Sequence, residues 1–97
     1  MSEIGTFTVQ AKWGLEEVPY EKEFVLWGEV FVVHRMIGGP GTIRTDVYKA
    51  SHKETGFGIP NVDQRTVAAA EDQARAVLQK YGRKRVLEVI QKAREGQ

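Results

Sequence analysis

Phe24-Val25-Leu26-Trp27-Gly28-Glu29-Val30-Phe31-Val32-Val33-His34-Arg35-Met36-Ile37 is the most apolar stretch of the chain, and its reading decides the fold. β-Branched and aromatic residues dominate it, which favours strand over helix. Gly28 interrupts the run and leaves two readings: one long strand bent at a bulge, or a hairpin turning there with Glu29. The bent strand is favoured. Gly38-Gly39-Pro40-Gly41 then breaks the chain.

On the N-terminal side, Thr6 to Trp13 sets Phe7, Val9, Ala11 and Trp13 against Thr8, Gln10 and Lys12. That alternation describes a half-buried strand. Leu15 to Glu23 follows, with Pro19 and the carboxylates Glu16, Glu17, Glu21 and Glu23, and reads as an acidic loop. On the C-terminal side, Arg44 to His52 alternates as a strand. Lys53-Glu54-Thr55-Gly56 reads as a tight turn. Phe57-Gly58-Ile59 reads as a short returning strand stopped by Pro60.

From Thr66, a plausible N-cap, the apolar positions take a helical period. Val67, Ala70, Ala74, Val77, Leu78 and Tyr81 share one face. Gly82 ends this helix, and a second over 83–95 buries Val86, Leu87, Ile90 and Ala93. The expectation is a single α+β domain over 1–97: an antiparallel β-meander of about four strands in 1–60, packed against two C-terminal helices in 61–97. Phe7, Val9, Phe31, Val33 and Tyr48 are expected to face the helices, with Val30 and Val32 as the alternative for the central strand.

Ninety-seven residues support one core, and 41% hydrophobic with 28% charged residues is ordinary for a folded domain. The absence of cysteine removes disulfides, thiolate nucleophiles and cysteine-based zinc sites. No apolar run approaches the roughly 20 residues that span a bilayer, and Met1 to Gly5 lacks the regions of a signal peptide. A cytoplasmic setting and no membrane partner are therefore expected. Net charge is +1, with six Lys/Arg against eight Asp/Glu in 1–60 and eight against five in 61–97.

Few patterns carry chemistry. His34 and His52 lie on neighbouring strands, but a turn near Pro40 sets them well apart, so no metal pair is expected. The glycine loop around Gly39 leads into a strand with no lysine after it, unlike a phosphate-binding loop. Ser51 and His52 are adjacent on a strand and point to opposite faces. No catalytic residue, metal, small-molecule cofactor or enzymatic activity is expected. Lys80, Arg83, Lys84 and Arg85 surround the start of the second helix, where free N–H groups attract anions, and Lys92 follows on its outer face. Trp13 is expected in the core, and Trp27, if exposed, would anchor an interface.

The strand pair, Gly56-Phe57-Gly58 and the helix carrying Ala70, Ala74 and Leu78 resemble the C-terminal two-thirds of a double-stranded-RNA-binding domain over about residues 30–80. That family grips phosphates with a lysine cluster where its helix begins, and it has a helix before its first strand. Here positions 64–68 offer only Arg65 and the leading helix is missing, so the resemblance implies architecture rather than RNA binding.

The expected function is a small non-catalytic interaction protein: a cytoplasmic adaptor, regulator or phage/mobile-element-type inhibitor. Its partner would be a protein, contacted through Glu16, Glu17, Glu21, Glu23, Trp27 and Gly39. The alternative is a nucleic-acid-binding module using Lys80, Arg83, Lys84, Arg85 and Lys92. A homodimer through a sheet edge is a further option.

Overall fold

The apolar stretch folds as the hairpin, not as the bent strand. In a computed structural model, which describes residues 5–11, 14–39 and 42–96, the chain forms β1 (Thr6–Ala11), β2 (Gly14–Leu26), β3 (Glu29–Gly39), β4 (Thr42–His52), α1 (Val67–Tyr81) and α2 (Arg83–Glu95). Leu26 pairs with Glu29, leaving Trp27 and Gly28 as a two-residue turn. Both have positive φ, 53° and 77°. This is the type I′ pattern, whose twist matches that of the flanking strands. Gly28 adopts its φ without steric cost. Trp27 accepts the same region as a bulky residue, and its ring packs against the core.

The sheet is antiparallel in the order β1-β2-β3-β4. It is the expected α+β meander on two C-terminal helices, built from partly different strands. The acidic loop is β2. Its first half pairs with β1, from Thr6 opposite Pro19 to Ala11 opposite Gly14, and its second half pairs with β3. Tyr20 donates its N–H to Gly5 of the β1 side, so the nitrogen of Pro19 points the other way, where no ladder bond is lost. The returning strand at 57–59 shrinks to an isolated bridge between Ser51 and Gly58. The glycine loop is shorter than expected, because Gly39 ends β3 opposite Thr42; Pro40 and Gly41 lie outside the described residues, as does Trp13.

A register shift between Tyr20 and Lys22 divides β2. Beyond it, the β1–β2 arm leaves β3 and turns back across the sheet face opposite the helices. Phe7, Val9 and Val18 close over Val32 there, with Tyr20 beside them. Phe7 and Val9 therefore do not face the helices. Gly56, at the turn after β4, lies hard against the arm: a Cβ there would overlap the Thr8 carbonyl oxygen, so only glycine fits.

The helix side carries the larger core. Phe31 and Val33 face it as expected, stacked or packed with Phe24, Ala50, Ile59 and Val62. α1 begins at Thr66, whose Oγ1 accepts from the Ala69 N–H at 3.1 Å, and buries Ala70, Ala74 and Leu78 at i, i+4 spacing. The two alanines allow close approach to the sheet. α2 buries Val86 and Ile90. Tyr81, expected in the core stripe, is instead 48% exposed at the end of α1. Among the described residues no helix is long and apolar enough to cross a membrane.

Candidate functional site

The junction of α1 and α2 gathers Lys80, Arg83, Lys84 and Arg85, four of the residues that the sequence singled out. Val77 and Tyr81, one turn apart on α1, stand beside Val86 and Val89 on α2, above Phe57 and Ile59 from the segment after β4. They line an open apolar cleft of about 320 Å³, with Arg85 on its wall. Tyr81 and Val89, 48% and 41% exposed, are two of the four large hydrophobic side chains that the described surface leaves open. Two separate helical periods meet in this layout: Val77 and Tyr81 are one turn apart on α1, Arg85 and Val89 one turn apart on α2. Gly82, with φ 92° and ψ 150°, breaks the helix between them, while Leu78, Val86 and Ile90 are committed to the core.

The five basic residues are all exposed. Lys80, Arg83, Lys84 and Arg85 cluster at the junction. Lys92 stands apart, one turn beyond Val89 and about 10 Å along α2 from Arg85, on the continuation of the cleft wall. Among the described residues none of the five forms an ion pair. The α2 N-terminus has no side-chain cap, so its free N–H groups add to the positive field.

The acidic residues behave differently. Glu23 accepts from Lys53 at 2.6 Å and from the Tyr20 hydroxyl, and these bonds, Lys53 first, hold its carboxyl below the usual range. The Glu21 carboxylate lies 3.3 Å from Arg35 Nε, without hydrogen-bond alignment. Glu16 is half-buried and Glu17 exposed on the arm. The four are thus spread along a 13-residue strand rather than gathered in one loop. Trp27 is half-buried against the helix-side core, and Gly39 sits at the far end of the β3–β4 hairpin.

Two polar clusters were not legible in the sequence. On the arm side, His34 Nε2 lies 2.8 Å from Ser51 Oγ. His34 Nδ1 is 2.9 Å from the Arg35 carbonyl, which can only accept. Nδ1 therefore carries the proton and Ser51 donates to Nε2. That polarity is the one a nucleophilic serine needs, but Ser51 is 1% exposed and His34 4%. Burial lowers the His34 pKa, Lys49 lowers it further, and the Arg35 carbonyl opposes both. The pair is a sealed hydrogen bond within the fold. Ser51 lies opposite Val32, two residues from His34 on the same face of β3, while its neighbour His52 faces the other way. The register shifts along Arg35, Ile37 and Gly39 set this pairing. His34 then sits opposite Lys49 and His52 opposite Phe31, on opposite faces of the sheet.

On the helix side, His52 is 1% exposed between Phe31 and Phe57. The Thr55 N–H points at its Nδ1, so Nε2 carries the proton and donates to Glu29 at 2.9 Å. Arg94, from the end of α2, donates to Glu29 at 2.7 Å and, through Nε, to Glu54 at 2.7 Å. The Arg94 bond holds the Glu54 carboxyl below its usual range. Glu29, His52 and Glu54 present ligand atoms within 4.8 Å of one another, yet the Arg94 guanidinium already supplies a cation to both carboxylates. The arrangement suits a lock between α2 and the sheet better than a metal centre.

No family model, curated protein or solved structure matches the chain.

Proposed function

We propose that the chain is a non-catalytic interaction module of the cytoplasm, an adaptor, regulator or small inhibitor, that docks a protein partner on the α1–α2 cleft. One observation carries this reading: Tyr81 and Val89 share an apolar cleft with Arg85, which forms no ion pair among the described residues. Exposed apolar surface beside charge is what partner surfaces cover. The lining is apolar and mostly aliphatic, with Phe57 and Tyr81 as its two aromatic residues, and apolar surface of this kind supports a protein side chain as its occupant. Placing a photocrosslinking residue at Val89 in cells, with exposed Val25 as control, tests the proposal. A protein adduct specific to Val89, and lost with Tyr81→Glu, is expected. Equal adducts at both positions, or none, would refute it.

The five unpaired cations favour a second reading, nucleic-acid binding through Lys80, Arg83, Lys84, Arg85 and Lys92. Binding carried by them must weaken with salt, with a log–log slope of about −0.9 per phosphate neutralised on duplex DNA. Absence of binding to duplex or single strands at low salt eliminates this reading.

A further inference from the structure

The most exposed large hydrophobic side chain lies away from the cleft. Leu15, 74% exposed, is the second residue of β2, on the β1–β2 arm. Strand alternation puts Glu17 on the same outward face, while Glu16 and Val18 turn toward the arm's inner side. Glu17 is exposed and takes part in no ion pair among the described residues. The arm thus offers an apolar knob with a carboxylate two residues on. The α1–α2 cleft offers the complement: an apolar pocket with Arg85 on its wall, next to the helix junction that carries Lys80, Arg83 and Lys84.

Resting on the reading of the cleft as a docking surface, we propose that one of its occupants is the arm of a second copy of this chain, with Leu15 seated between Tyr81 and Val89 and Glu17 against Arg85. Knob and pocket are different surfaces, so the contact is heterologous: after pairing, the copy that supplies the knob keeps a free cleft and the copy that supplies the cleft keeps a free knob. The contact is small, so it is weak and populated at high protein concentration. It covers two of the exposed apolar features at once and joins charges that form no ion pair among the described residues. The same knob would compete with any other protein for the cleft, making self-association a brake on partner binding.

Sedimentation velocity over a concentration series, at low and high salt, tests this with the full chain. Wild type is expected to associate with concentration and less so at high salt. Leu15→Glu and Val89→Glu, both at exposed positions, each lower the association constant by about tenfold or more, the scale of one lost apolar contact. Mixing the two variants is decisive. Leu15→Glu keeps its cleft and Val89→Glu keeps its knob, so the mixture forms a one-to-one pair that neither variant forms alone. A wild type that stays monomeric throughout overturns the proposal. So does association that Leu15→Glu leaves unchanged, which would indicate the open edge of β1. Neither result affects the cleft reading, which stands or falls on crosslinking from Val89 in the Leu15→Glu background.

Discussion

His34 and Ser51 show how much one pair of side chains can fix. His34 Nε2 and Ser51 Oγ bond each other at buried positions, so removing one takes this bond from a buried polar atom. His34→Leu is expected to cost about 1–3 kcal/mol, whereas His34→Leu with Ser51→Ala, which removes both partners, costs less. The lowered His34 pKa adds a pH signature. The unfolded chain binds a proton near pH 6.5, its ordinary value, while the folded chain resists until lower pH. The stability that neutral His34 contributes is therefore present above that value and lost as pH falls toward the folded pKa. Denaturant midpoints measured from neutral pH down to the carboxylate range should fall in wild type, and this histidine-range slope should flatten in the double variant.

At the scale of elements, the two-residue turn between β2 and β3 is the decisive feature. Nothing lies within 4 Å of a Cβ built on Gly28, so Gly28→Ala probes backbone strain alone. At a φ of 77° it should destabilise by about 1–2 kcal/mol, read as a shift in urea midpoint at unchanged slope. The sequence showed that this stretch was strand and marked Gly28 as a break, but favoured a bend over a turn there, because Trp rather than Asn or Asp precedes Gly28 and I′ turns usually announce themselves by those residues. The helices were legible through Thr66, the Ala70-Ala74-Leu78 stripe and the glycine at 82. β2 was hidden because only Val18 and Phe24 along it are deeply buried, and its glutamates mask the alternation. The basic corner was legible as a local cluster. Its apolar floor was not, since Phe57 and Ile59 join Val77 and Val89 only through tertiary packing.

For the molecule as a whole, Arg94 and Glu29 connect the last turn of α2 to the first residue of β3, 65 positions apart in the chain. Glu29 also accepts from buried His52, so its loss leaves the buried His52 Nε2–H without this acceptor, while Arg94 keeps Glu54. Glu29→Ala should destabilise by about 1.5–3 kcal/mol, the range for hydrogen bonds to charged groups. Glu54→Ala, at an exposed position, should lower the melting temperature less. Equal effects in calorimetry would show that the lock depends on surface charge rather than on the buried histidine.

The arm and the helices bury opposite faces of β3, and for that reason Val30 to Val33 reads as an unbroken apolar run. Adjacent residues consequently serve different cores, Val32 under the arm and Val33 under α1. A slip of one residue would exchange them at little loss, because both are valine. Phe31 and His34 are not interchangeable. The same slip would drive Phe31 into the thinner arm layer and carry His34 to the helix side, away from Ser51. Those two side chains therefore proofread the pairing of the central strand, and the buried histidine is as much a guard against a wrong fold as a part of the right one.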